Sequence, residues 1–396
     1  MKFSVLLPTR NRLEYLRYAV ETIRRQDDAD WEIVISDNCS EDNIAGYVQS
    51  LADHRVKYFR TQTFVPATEN WNNALDRSTG DYVVMLGDDD GLLPGYFSTF
   101  KRAFQTFPDP DFVYTSAYFY AYPGVIPNFP AGFLQRDRNR VFPETEPFWL
   151  ERKRAISLTR GYLNFRMPVA SNMQFSLISR RMIKELCRKG PFFHSPYPDF
   201  YATPTLFLVS NRTLIYPHPM VIVGITPKSY GFYHFNNMAG EGMKFLNDQE
   251  SKSSQHLNEA IMLPGTPYND SWLLAMEALR TNFSQEYDLR PNYRRYRFLQ
   301  ILYVYKRYYL DRSLTREHLN TLKIKMHLWE KLVYGPGLLL AFAFLGLVPK
   351  EQRAGLIRKL RLVIGQHILR RKSDSSQRFR NILDVFNTQE LEHPHQ

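Results

Sequence analysis

Four short apolar runs punctuate the start of the chain: Phe3–Leu7 (FSVLL), Glu32–Ser36 (EIVIS), Val56–Phe59 and Tyr82–Leu86 (YVVML). Each is too short for a core helix and rich in residues that favour extended backbone, so each predicts a buried strand. Helical spacing fills the gaps. Leu13, Leu16, Val20 and Ile23 share one face of a predicted helix over Leu13–Arg25, and Ile44–Leu51, Glu69–Asp76 and Phe97–Phe107 continue the series. Strands that are apolar throughout, alternating with helices, predict an α/β fold: a mostly parallel sheet flanked by helices. In such a sheet ligands bind at the carboxyl ends of the strands. Polar clusters stand at three of those ends: Thr9-Arg10-Asn11-Arg12, Asp37-Asn38 and Asp88-Asp89-Asp90.

The last cluster is electrostatically costly. Three neighbouring carboxylates repel one another unless a cation compensates them. A hard divalent ion, Mn²⁺ or Mg²⁺, accepts one or two carboxylates and completes its shell with phosphate oxygens and water. A metal-held diphosphate is therefore the expected ligand, against the plainer reading of a solvated acidic turn. The balance of 51 Lys and Arg against 40 Asp and Glu, a net charge of +11, also suits an anionic partner. Two cysteines without metal-ligand spacing argue against a zinc site or a disulfide framework, and suit a reducing compartment. The start of the chain has no signal-peptide pattern, and the longest apolar run, Leu338–Val348, is too short to span a bilayer.

Three stretches, FSVLLPTRNRLEYLRYAVETI, WEIVISDNCSEDN and ENWNNALDRSTGDYVVMLGDDDGLLP, resemble the family 2 glycosyltransferases in order and approximate spacing. The likeness covers about the first 105 residues, and more weakly extends to about residue 225. It implies the GT-A fold, a Rossmann-like nucleotide-sugar scaffold, here with a helical C-terminal extension. It also implies roles. Pro8 and Thr9 match the segment whose backbone touches the nucleotide base, and Asp37 the carboxylate that accepts a hydrogen bond from it. Arg10 and Arg12 fall where basic side chains serve the nucleotide. Asp88, Asp89 and Asp90 match the DxD region, with Asp90 and Asp88 the expected metal ligands and Asp88 or Asp89 on the ribose. Gly87 stands where the family's first Asp is common, so the division of labour within the cluster stays open.

An inverting transfer needs one base to take the acceptor's proton. The family places it some 100 residues past the DxD, where this chain has Asp199 ahead of a helix-like Phe200–Val209; a helix-capping role is the rival reading. Ser171 and Asn172 match the acceptor side, and His234 is a candidate to complete the metal site. The middle of the chain is aromatic, with strand-like Phe112–Tyr122 and Leu206–Ser210. The expected organisation is a glycosyltransferase domain over residues 1–245, with a nucleotide-binding half 1–110 and an acceptor half 111–245, then a basic helical region 246–396.

Within that region, Arg353–Lys372 reads as a basic amphipathic helix fit for an anionic membrane surface, and GPGLLLAFAFLGLVP beside it could dip into the interface. A core hairpin with a solvated basic face is the rival reading. No QxxRW motif occurs, which argues against a processive, membrane-spanning synthase. The expected protein is thus an inverting, metal-dependent glycosyltransferase, cytoplasmic or peripheral at the inner membrane face. It would use a nucleotide-diphospho-sugar donor and a glycan or lipid-linked acceptor in bacterial cell-surface polysaccharide assembly. No nucleic-acid motif appears. A sugar nucleotidyltransferase would want a Gly-rich phosphate loop with a Lys after the first strand, which PTRNRLEYL lacks. The remaining alternative is a non-catalytic module that kept the fold.

Overall fold

The computed structural model describes residues 1–126, 129–137, 141–194, 197–229, a few positions between 232 and 244, 261–348 and 379–392. His234 and the segment 353–372 lie outside these described residues.

The first half alternates as the apolar pattern predicts, with one addition, the short β5. Strand β1 (Phe3–Thr9) is followed by α1 (Leu13–Arg24), β2 (Trp31–Asp37), α2 (Ile44–Ser50), β3 (Val56–Arg60), α3 (Ala67–Asp76), β4 (Tyr82–Met85), β5 (Gly91–Leu92) and α4 (Tyr96–Thr106). Every residue of β1, β2 and β4 is buried, as expected of strands covered on both faces. β1 pairs in parallel with β2 on one side and with β4 on the other, so consecutive crossovers run outward in opposite directions from that gap. A crevice opens at such a reversal point, outside the strand ends.

The second half is mixed. It comprises β6 (Phe112–Ala121), β7 (Phe133–Arg136), β8 (Phe148–Trp149), α5 (Arg152–Leu163), β9 (Ser176–Ser179), α6 (Arg180–Cys187), α7 (Pro198–Val209) and β10 (Thr213–Ile225). The ten-stranded sheet runs β3-β2-β1-β4-β9-β6-β10-β5, with β7 on β6 and β8 on β10. β9 enters between β4 and β6 antiparallel to both, while β6 and β10 are parallel. The apolar Leu206–Ser210 does not form a strand; its residues through Val209 close α7. That helix is buried on all sides, so its sequence carries no amphipathic stripe to separate it from a core strand.

Among the described residues the α-helices that follow are α8 (Pro267–Phe283), α9 (Tyr293–Tyr305), α10 (Arg316–Lys325), α11 (Leu328–Leu347) and α12 (Ile382–Glu392). α8 packs on α7, and α12 returns to the first half of the chain. There Ile382, Val385 and Phe386 join the main core, Arg25 donates to Asn387 at 3.1 Å, and Tyr120 donates to the Phe379 carbonyl at 2.9 Å.

Candidate active site

The strand ends are stapled together before any ligand arrives. The turn after β1 carries Asn11 in the left-handed region, φ 51°. Its backbone N–H donates to Ser40 Oγ at 2.9 Å and its side chain accepts from Glu41 N–H at 2.6 Å, tying the β1 and β2 loops. Thr9 Oγ1 then donates to Asp88 Oδ2 at 2.6 Å across the β1–β4 gap. Pro8 sits in β1 opposite Ser36. Asp37 is buried, with Oδ1 accepting from Ser40 N–H at 2.9 Å and Oδ2 from Tyr58 at 2.7 Å, which fixes its orientation. Arg10 lays its guanidinium 3.3 Å from the centre of the Phe64 ring.

Asp88, Asp89 and Asp90 are only 2%, 4% and 2% exposed. A solvated acidic turn is therefore excluded. A cation compensates two of them, and it belongs to the protein. Arg12 Nη1 lies 2.7 Å from Asp88 Oδ1, and Arg12 Nη2 2.5 Å from Asp89 Oδ2. The expected nucleotide contact at Arg12 is thus turned inward, where its charge does most good in a low-dielectric setting. Burial alone would depress the Arg12 guanidinium, but Asp88 and Asp89 more than offset this and hold it above its ordinary value. Thr226, just past β10, shares the network: it accepts from Arg12 at 2.7 Å and donates to Asp89 at 3.0 Å.

Asp90 faces the other way. Its Oδ1 accepts from Gly224 N–H at 2.8 Å, and its Oδ2 from Gly87 N–H at 2.7 Å and from Gln174 Nε2. One guanidinium does not neutralise three carboxylates. Burial pushes Asp88 above the usual carboxylate range against the pull of Arg12, and burial with the charge of Asp89 does the same to Asp90.

Asp199 opens α7 just after Pro198, but it does not cap its own helix, whose N-cap position is Tyr197. Its Oδ1 instead accepts from Met173 N–H at 3.1 Å. Burial pushes its carboxyl up to about 7 against that single N–H bond. The next residue along is Gln174, the partner of Asp90. The dipeptide Met173–Gln174 therefore links Asp199 to the acidic cluster. Sequence reasoning stopped at Ser171 and Asn172. Ser171 is buried, its carbonyl accepting from Thr203 at 2.6 Å, while Asn172 precedes the short 3₁₀ turn Met173–Phe175. A glutamine inside the apolar run MQFSLIS was the available signal for Gln174. Thr226 had none.

Three polar atoms here, Arg10 Nη1, Arg12 Nε and Gln174 Oε1, are buried without a hydrogen-bond partner among the described residues. Unsatisfied groups gathered in one place are costly unless a ligand or water completes them. Gly224 shows how tightly the cluster is held. A Cβ there would come 1.9 Å from the Asp89 carbonyl oxygen. Gly224→Ala is accordingly expected to force the acidic loop off β10, lowering stability by about 1–3 kcal/mol as overpacking does; urea denaturation checks this, and an unchanged midpoint and slope would refute it.

Residues 4–155 match the family model described as Glycosyl transferase family 2. The chain is 44% identical over 104 residues to the GalNAc(5)-diNAcBac-PP-undecaprenol beta-1,3-glucosyltransferase of Campylobacter jejuni, covering 26% of this chain and 34% of that one. It is 26% identical over 87 residues to the UDP-Glc:alpha-D-GlcNAc-diphosphoundecaprenol beta-1,3-glucosyltransferase WfgD of Escherichia coli, 22% of this chain and 34% of that one. The aligned parts thus span about a third of the length of these two curated relatives. Among solved structures, S. aureus TarS 1–349 aligns over 85% of this chain and 92% of its own, at 15% identity and a TM-score of 0.45.

Proposed function

We propose that this chain, with its family 2 segment over residues 4–155, is an inverting glycosyltransferase. It would move one sugar from a nucleoside-diphosphate donor to a hydroxyl of a glycan or lipid-linked acceptor, in bacterial cell-surface polysaccharide assembly. The observation that carries the reading is the convergence of Asp37, Arg12 and the Asp88–Asp90 cluster at the β1–β4 reversal, with Asp199 one dipeptide away. The C. jejuni and E. coli relatives are named for transfer to undecaprenol-linked diphosphates, which supports the acceptor class. Such an acceptor is presented at a membrane, so an anionic membrane surface is the expected partner of a basic chain.

In this reading Asp37, oriented by Tyr58 and Ser40, accepts from the nucleotide base, and Pro8 and Thr9 line the base's approach. Arg10 Nη1 supplies a free donor toward the diphosphate. Asp199 accepts the proton of the acceptor hydroxyl as that oxygen forms a bond to the anomeric carbon and the bond to the leaving diphosphate breaks. A carboxyl held near 7 by burial is suited to this task at neutral pH.

A divalent ion fits the cluster in kind and in charge. The donors are all oxygen, and three carboxylates against one arginine leave negative charge uncompensated. Among the described residues no group of three potential ligands assembles, so the protein would offer one or two oxygens, from Asp88 and Asp90. Both carboxylates already hold protein donors, three N–H groups on Asp90 and Arg12 with Thr9 on Asp88, so an ion would take the place of one of them. When bound, Mn²⁺ or Mg²⁺ would neutralise charge on the departing diphosphate.

Incubation with a panel of nucleotide sugars tests the function. Release of nucleoside diphosphate with an acceptor, and a product of opposite anomeric configuration by NMR, are expected. Retained configuration would refute the single-displacement mechanism. Calorimetry with nucleoside diphosphates is expected to show binding that strengthens with Mn²⁺ and weakens about tenfold or more in Asp88→Asn, the scale of one lost charge-assisted contact. Binding indifferent to the ion would remove its role.

A further inference from the structure

α11 is built from LWEKLVYGPGLLLAFAFLGL, and only a narrow stripe of it touches the protein. Glu330, Gly335, Phe342 and Leu345 are buried along that stripe. Glu330 receives Arg297 through Nε and Nη2, both at 2.7 Å, and accepts from His327 N–H at 2.8 Å. Phe342 and Leu345 pack into the small core of Ile301, Val304 and Tyr305. The rest of the helix faces outward. Leu332, Leu340, Phe344 and Leu347 are 67%, 73%, 62% and 85% exposed. The apolar window Leu328–Leu345 is 22% buried as a whole.

So much contiguous apolar surface marks an interaction site. Its chemistry selects the partner. The only acid on α11 is Glu330, which is spent on Arg297, so the outward face carries no negative charge. Its N-terminal end is fringed by exposed Lys323, Lys325 and Lys331. Ile324, between the first two lysines, is itself 80% exposed. At the same end Trp329 lies under the Arg294 guanidinium at 5.0 Å and against Tyr334 at 5.3 Å. An apolar face beside aromatic rings and lysines matches the layers of an anionic membrane surface, where acyl chains, head groups and phosphates follow one another.

We infer that α11 lies in the plane of an anionic lipid bilayer, with Leu332, Leu340, Phe344 and Leu347 among the acyl chains and Lys323, Lys325 and Lys331 at the lipid phosphates. At about 30 Å the helix is long enough to cross instead. Crossing would strip Glu330 and Arg297 from each other and pull Phe342 and Leu345 from their core, so the in-plane position is the one the packing permits. The inference rests on the proposed lipid-linked acceptor only for why a membrane is at hand.

Flotation with the full chain, without donor or acceptor, tests it independently of transfer. The protein is expected to float with phosphatidylglycerol-containing vesicles and much less with pure phosphatidylcholine. The double variant Leu340→Glu/Phe344→Glu, at two exposed positions, is expected to bind at least about tenfold more weakly with an unchanged thermal midpoint, the scale set by losing two buried apolar side chains. Lys323→Glu/Lys331→Glu should weaken binding to the anionic vesicles alone. Equal flotation of the apolar double variant would overturn the inference. So would wild-type protein that ignores the vesicles, including the case in which it is a dimer that this variant dissociates, since the face would then meet a second copy. Each of these results leaves the transfer assay untouched.

Discussion

Asp199→Asn is expected to lower kcat by about 10²–10⁴-fold, the contribution of a positioned general base, and to leave nucleotide-sugar binding unchanged. The amide keeps an oxygen for the Met173 N–H bond, so the start of α7 should hold its place. It cannot take a proton. The wild-type pH profile gives a second readout. The base works only when ionised, so kcat/KM should rise with pH and level off above the about 7 to which burial lifts this carboxyl. An unperturbed aspartate would place that limb near 4. A variant with wild-type turnover, or a limb at the ordinary carboxylate position, would remove Asp199 as the base. Rescue would not be expected from Asp199→Glu, because the longer side chain must leave the Met173 contact.

Arg12→Met should cost about 3–5 kcal/mol of stability at pH 8, as losing one partner of a buried ion pair does. Methionine fills much of the volume but strands Asp88 and Asp89 without a counter-charge. The sign of the pH dependence separates charge from packing. A carboxyl whose folded pKa lies above its unfolded value loses stability as pH rises between the two. Asp88 already behaves so, and without Arg12 its pKa would climb further. The deficit of the variant relative to wild type should therefore shrink on going from about pH 8 to about pH 5, as Asp88 becomes neutral. Urea denaturation at the two pH values measures it. An equal deficit at both would assign the loss to packing.

What the sequence disclosed follows the range of the interactions. β1 to β4 and α1 to α4 were legible because period and turn chemistry are local, and their observed boundaries fall within a residue or two of those expected; the two-residue β5, which exists only through its pairing with distant β10, was not. The acidic cluster was legible as a charge problem. Its solution was only half so, because a sequence places Arg12 at the right strand end without saying which way the guanidinium turns. Gln174 and Thr226 lie 84 and 137 residues from the carboxylates they bind. No periodicity encodes such pairs. The same holds for β9, a four-residue strand whose neighbours β4 and β6 lie far upstream. α7 was read two ways: the helix-like Phe200–Val209 is observed, whereas its apolar end, Leu206–Ser210, looked like a strand because the helix is buried on every side.

The return of α12 to α1 and β5 has a consequence for how the protein is made. Ile382, Val385 and Phe386 cover part of the first half's core, yet they are synthesised about 360 residues after α1, a delay on the order of tens of seconds at ribosomal rates. Until then that patch meets the crowded cell uncovered. The core around α1 and β5 is thus completed only when residues more than 350 positions downstream of α1 have been made.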